Sequence, residues 1–157
     1  MRPEEELRFL ILAAQREGSR MLSAQLAPLG LTPSQAEVIR CLEDHGPMSL
    51  KTLGGLLVCE GGSPSRLVDT LVGRDIVTRS EDAVDRRQVR LALSRTGRTL
   101  ARKVRDIEAA LYDRIGAGLG TGGLATALGL LRPLVAGSGP GDAIARRKSL
   151  GGRSGAD

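Results

Sequence analysis

The sequence predicts a mainly α-helical fold carrying one small β-hairpin. Three observations lead there. Apolar residues recur at helical spacing over long stretches near both ends of the chain. A hydroxyl residue followed by proline occurs at Thr32-Pro33 and at Ser63-Pro64, the pattern of a helix N-cap with proline in the first helical position. Val89, Leu91 and Leu93 instead alternate with Arg90, Ala92 and Ser94, which is the period of a strand with one buried face.

Taken in order, the first helix is expected from about Glu4 to Ala27, with Leu7, Leu10, Ile11, Ala14, Gly18, Met21, Leu22 and Leu26 on one stripe. Thr32-Pro33 opens a second helix to about Glu43, with Ala36, Ile39 and Leu42 inward, and His45-Gly46-Pro47 ends it. Ser49 caps a short third helix bearing Leu50, Leu53, Leu56 and Leu57. Ser63-Pro64 opens a fourth, through about Val72, with Leu67, Val68, Leu71 and Val72 available to pack. Two short helices joined by a Gly-containing turn are a helix-turn-helix candidate. The hairpin that follows, from Ile76-Val77-Thr78 to Val89–Leu93, makes the unit a winged helix-turn-helix. Thr96 begins a long helix to about Leu119 with a stripe of Leu100, Val104, Ile107, Leu111, Ile115 and Leu119. Gly120-Thr121-Gly122-Gly123 breaks it, and a last helix carries Leu124, Leu128, Leu131 and Leu134 to Val135. From Ala136 the composition shifts to Gly, Ser, Pro and Arg, and a flexible basic tail is expected over 136–157.

Bulk properties narrow the function. The 157 residues suffice for one core, and an apolar fraction of 41% is ordinary, but Phe9 and Tyr112 are the only aromatic residues. No apolar run approaches the roughly 20 residues that cross a bilayer, and the acidic start lacks the order of a signal peptide, so a cytoplasmic protein without membrane contact is expected. Cys41 and Cys59 show no metal-ligand spacing, and no metal or cofactor is expected. The formal net charge is +5, and the segment from Glu60 to Arg105, with eleven Lys/Arg against six Asp/Glu, carries all of it. A localised positive surface on a neutral frame is the footprint of a polyanion binder.

Within that segment Asp85-Arg86-Arg87 falls where the chain reverses between the two strands, so the hairpin tip projects two guanidinium groups into solvent. The long terminal helices add a second constraint. Their stripes exceed what the compact middle can cover, and a homodimer would bury them, with Leu7, Leu10, Ile11, Leu111, Ile115, Leu128 and Leu131 at the interface. Two copies of the basic segment would then stand at fixed spacing, as two-fold binding to duplex DNA requires. The expected organisation is an N-terminal dimerisation helix over 1–30, a DNA-binding unit over 31–95, C-terminal dimerisation helices over 96–135 and the tail.

The run from Asp85 to Gly97, DRRQVRLALSRTG, resembles the wing of MarR-type transcriptional regulators. That wing has an Asp, an Arg two positions on, and a strand ending in Leu-Thr with a Gly three residues after the Thr; Ser94 stands here for the Thr. Leu31-Thr32-Pro33-Ser34-Gln35 is similar to the family's second-helix start, and Ser65–Leu71 to its recognition helix, so the resemblance spans about residues 4–135. It implies a homodimer on a pseudo-palindromic operator, usually a repressor, that often releases double-stranded DNA on binding a small-molecule effector or on thiol oxidation. It also implies that the fourth helix enters the major groove and that Arg87 reaches the minor groove, braced by Asp85, with Arg86 beside the phosphates. Ser63, Ser65, Arg66 and Arg90 complete the expected DNA contacts. Two departures stand out: Asp75 occupies the expected left-handed position before the wing, and Gly61-Gly62 and Pro64 replace a polar start to the recognition helix.

Three other functions compete with this one. Cys59 lies near a helix N-terminus, where a thiolate is favoured, so a thiol-based redox regulator is the alternative, while Cys41 is expected in the core. RNA or single-strand binding lacks aromatic stacking platforms beside the basic segment. An enzyme is not expected, since His45, the only histidine, sits in a turn and neither cysteine has a sequence-visible base.

Overall fold

The computed structural model describes residues 1–58, 63–81 and 89–151. Helix α1 spans Pro3–Leu26 and ends in a 3₁₀ turn, Ala27–Leu29. Helix α2, Pro33–His45, opens with a full capping box: the Thr32 hydroxyl accepts from the Gln35 N–H, and the Gln35 side chain accepts from the Thr32 N–H. A two-residue strand β1, Met48–Ser49, leads into α3, Leu50–Gly54, capped by Ser49. Helix α4 spans Pro64–Gly73, strands β2 and β3 span Val77–Glu81 and Val89–Leu93, helix α5 spans Arg95–Val135, and α6 spans Gly139–Gly151.

The strands form an antiparallel sheet in the order β1-β3-β2, with Val77 opposite Leu93, Arg79 opposite Leu91 and Met48 also opposite Leu91. The core is aliphatic. Leu26, Val38, Ile39, Leu53, Leu56, Val68, Leu71, Val77, Leu91 and Val104 are fully buried between α1, α2, α4, the sheet and the first part of α5. The strand β1 was not expected from sequence, because two residues carry no periodicity and only their pairing with β3 defines them.

Three junctions hold the helix-turn-helix in place. Asp75 has φ of 52°, the left-handed conformation expected of it, and lets the chain turn from α4 into the sheet. Buried Ser94 caps α5, accepting from the Gly97 N–H at 2.9 Å while its hydroxyl donates to the Asp75 carbonyl at 2.6 Å. Arg74 donates to the carbonyls of Gly30 and Leu29, at 2.6 and 3.2 Å, fastening the end of α4 to the end of α1.

The span Arg95–Val135 is two helices that meet at the glycine cluster, where the sequence predicts a break. Gly120, at φ of 63° and ψ of 172°, is not helical, and a second helical stretch runs from there to Val135. Leu7, Leu10 and Ile11 on α1 and Ile115, Leu128 and Leu131 on α5 are 41–60% exposed, whereas Leu111 is half-buried and lines the cleft between α1 and α5. The expected flexible tail is corrected over 139–151. Ser138 caps α6, accepting from the Gly141 N–H at 3.2 Å, Ala143 is buried, and Leu150 packs on the core. The composition predicts disorder because the segment has few apolar residues of its own; here side-chain bonds to distant backbone hold it instead.

Candidate nucleic-acid interface

Helix α4 has two unlike faces. Leu67, Val68 and Leu71 are buried, and Ser65, Arg66, Asp69 and Thr70 are exposed together on the opposite side. The Ser63 hydroxyl accepts from the Arg66 N–H, so it serves as the helix cap, and the Thr70 hydroxyl donates to the Arg66 carbonyl at 2.9 Å. The Arg66 guanidinium makes no ion pair among the described residues, which leaves a long, multiply donating cation on the outward face. Asp69 is occupied: Arg79 of β2 donates to its Oδ1 at 2.6 Å.

That ion pair joins the wing to the recognition-helix candidate, and the sheet register explains it. Arg79 stands opposite Leu91, on the face of the sheet that meets α4, whereas Arg90 stands opposite Ser80 and points to the other face. From the sequence, Arg66 and Arg90 are expected contacts and Asp69 a possible partner of Arg66, whereas Arg79 is not singled out. Alternation alone could have found Arg79, since it falls two residues after the inward Val77. Asp85, Arg86, Arg87 and Cys59 lie outside the described residues.

The unit is tied to α5 by a cluster of charges. Arg40 of α2 donates from Nε to Glu108 of α5 at 3.0 Å, pairs with Asp44 at 3.0 Å and with Glu43, and Glu43 also pairs with Arg105. Burial disfavours the Arg40 cation, but the carboxylates of Asp44, Glu108 and Glu43 outweigh it and raise its pKa above the ordinary arginine value. Burial raises the Glu108 carboxyl, and Arg40 offsets only part of that. The buried thiol of Cys41, expected in the core, is pushed up to about 11 by burial despite the nearby Arg147 guanidinium, so it stays protonated and unreactive near neutral pH.

A helix pair with a polar outward face, a wing pinned to it and a long helical span beyond is the architecture of a winged helix-turn-helix, and the family model of the MarR family matches residues 31–89. The chain carries a MarR-family domain. The chain is 27% identical over 107 residues to the organic hydroperoxide resistance transcriptional regulator of Bacillus subtilis, covering 68% of this chain and 73% of the relative. It is 23% identical over 109 residues to the HTH-type transcriptional regulator SarZ of Staphylococcus epidermidis, covering 69% and 74%. Among solved structures it shares its fold with an Escherichia coli MarR variant complexed with operator DNA, with a TM-score of 0.73, 24% identity and coverage of 83% and 94%. BpsR of Bordetella bronchiseptica has the same fold, with a TM-score of 0.76, 21% identity and coverage of 88% and 99%. No helix among the described residues is long and apolar enough to cross a membrane.

Proposed function

We propose that this MarR-family chain is a sequence-specific regulator of transcription that binds double-stranded DNA as a homodimer, acting as a repressor at a pseudo-palindromic operator. The observation that carries the reading is the outward face of α4, where Ser65 and Arg66, which makes no ion pair among the described residues, stand beside a wing strand fastened to the same helix through Asp69 and Arg79. An arginine on such a face matches a guanine edge in the major groove, and the helix N-terminus favours a phosphate. Arg86 and Arg87 serve the backbone and the minor groove, with Asp85 accepting the spare N–H bonds of the latter. Arg90, on the other face of the sheet, contributes positive field or a flanking phosphate contact. The half-exposed leucines and isoleucines of α1 and α5 form the two-fold interface.

The operator-bound MarR variant supports the DNA reading by fold. BpsR, whose DNA binding is regulated by 6-hydroxynicotinic acid, supports a small-molecule effector for this chain. The space for one here is a cleft of about 260 Å³ between α1 and α5, lined by Met21, Leu22, Gln25, Ile107, Ala110, Leu111 and Arg114.

The test is binding of the purified protein to the DNA upstream of its own gene and to a shuffled duplex at two salt concentrations. Preference for the upstream duplex is expected, with affinity falling about 10³- to 10⁵-fold between roughly 50 and 200 mM salt, as about 6 to 10 phosphate contacts dictate. Arg66→Ala should narrow the preference, and Arg87→Ala should weaken binding with helicity unchanged. Equal binding of single strand and duplex would overturn the reading.

A further inference from the structure

The approach to α4 is held from an unexpected direction. Arg147, on α6, donates from Nε to the carbonyl of Leu56 at 2.7 Å, and its other arm pairs with Glu37 of α2. The same Glu37 oxygen accepts the N–H of Val58 at 2.7 Å. Arg146 donates to the carbonyl of Gly55 at 3.0 Å. Gly55, Leu56 and Val58 lie in the turn between α3 and α4, and Glu37 and Leu56 are both buried. The turn is thus gripped on one side by a carboxylate of α2 and on the other by two guanidinium groups from some 90 residues later in the chain.

We propose that α6 is a strap that sets the position of the recognition helix, with Arg147 and Glu37 as positioning residues for sequence reading; the proposal rests on the DNA-binding function above. Helix α4 has only ten residues, and its depth and tilt depend on three buried side chains and on the turn that delivers it. The carbonyls of Gly55 and Leu56 follow the end of the five-residue α3, where helical partners have run out, and the two arginines supply them. Glu37 makes the arrangement cooperative, because one carboxylate oxygen joins the turn and the strap. A planar guanidinium reaches a carbonyl and a carboxylate at once, which an ammonium cannot do with the same geometry. The strap therefore acts on where α4 sits, and hence on discrimination among sequences, more than on attraction to DNA as such.

The full-length protein, Arg147→Ala, Arg147→Lys and Lys148→Ala are compared by three measurements: affinity for the operator and for a shuffled duplex, thermal midpoint, and amide hydrogen exchange. Lys148 is exposed on the same helix and loses the same charge, so it reports the electrostatic contribution alone. Arg147→Ala should reduce the ratio of operator to shuffled affinity about tenfold, the scale of one lost charge-assisted bond, and speed exchange at Val58, with Arg147→Lys recovering only part of both. Lys148→Ala should lower both affinities together and leave the ratio and the exchange unchanged.

Unchanged exchange at Val58 in Arg147→Ala removes the strap. Faster exchange with an unchanged ratio overturns its role in reading, and an equal loss on both duplexes, matching Lys148→Ala, makes Arg147 a phosphate contact instead. Should Arg147→Ala fail to fold, Arg147→Lys and Glu37→Gln decide by the same readouts. If the unaltered protein does not distinguish the two duplexes, the regulator reading fails, and exchange at Val58 alone decides whether the strap holds the turn.

Discussion

At the scale of single residues, Gly97 shows how a sequence motif becomes a packing requirement. A Cβ built at this position would lie 2.1 Å from the Ile76 carbonyl oxygen, so α5 can start against the sheet only where no side chain intervenes. Ser94, three residues earlier, closes the same junction through its bonds to the Gly97 N–H and the Asp75 carbonyl. Gly97→Ala should cost about 3 kcal/mol, since backbone rather than a flexible side chain must yield; urea unfolding monitored by circular dichroism checks it. Cys41 yields a second expectation. A thiol raised from 9.0 to about 11 in the fold keeps its proton where the unfolded chain has lost it. Its contribution is therefore complete below about pH 9 and is lost as pH rises toward 11. Cys41→Ala should flatten that alkaline loss, and peptide-resolved alkylation of native protein near pH 8 should leave Cys41 largely unmodified. The motif from Ser94 to Gly97 was legible in the sequence as a pattern, but its cause, a carbonyl from another element, was not.

Among elements, polar bonds decide what apolar periodicity leaves open. The attachment of α2 to α5 includes the Arg40 cluster, whose members are mostly buried: the Arg40 and Glu108 side chains are 18% and 14% exposed. Arg40→Ala would leave Glu108 desolvated without its main partner and should cost about 1–3 kcal/mol, measured by denaturant unfolding; Asp44→Ala, whose carboxylate is more exposed, should cost less. The helices α1, α2, α4 and α5 were read from stripes and caps because burial of one helix face leaves a period in the sequence. Helix α6 left no such period. Its Arg146-Arg147-Lys148 reads as a solvated run, and only the carbonyls of Gly55 and Leu56 and the carboxylate of Glu37 turn it into an anchored helix.

For the whole molecule, the exposed stripe is the main uncovered feature. Leu7, Leu10 and Ile11 and then Ile115, Leu119, Leu128 and Leu131 stand at least two-fifths open on the two long helices, an arrangement that a second copy of the chain would bury. Ile115→Glu and Leu128→Glu should shift sedimentation from dimer to monomer while far-ultraviolet circular dichroism stays unchanged, because these side chains contribute little to the protomer's own core. A stable dimer of both variants would place the interface elsewhere. Leu111 is the weaker probe, since it is already half-buried at the cleft between α1 and α5 within the chain.

The class of the fold, the order of its helices, the break at Gly120, the caps at Thr32, Ser49 and Ser63, and the left-handed turn at Asp75 are legible in the sequence alone. Each of these is a local preference or a one-dimensional period, written in neighbouring residues. The short strand at Met48–Ser49, the pairing of Arg79 with Asp69, the opposite facing of Arg90 and the docking of α6 come only from the tertiary structure. These depend on which surfaces meet, and a backbone carbonyl or a strand edge offers the same partner whatever its own side chain, so no nearby residue announces the contact.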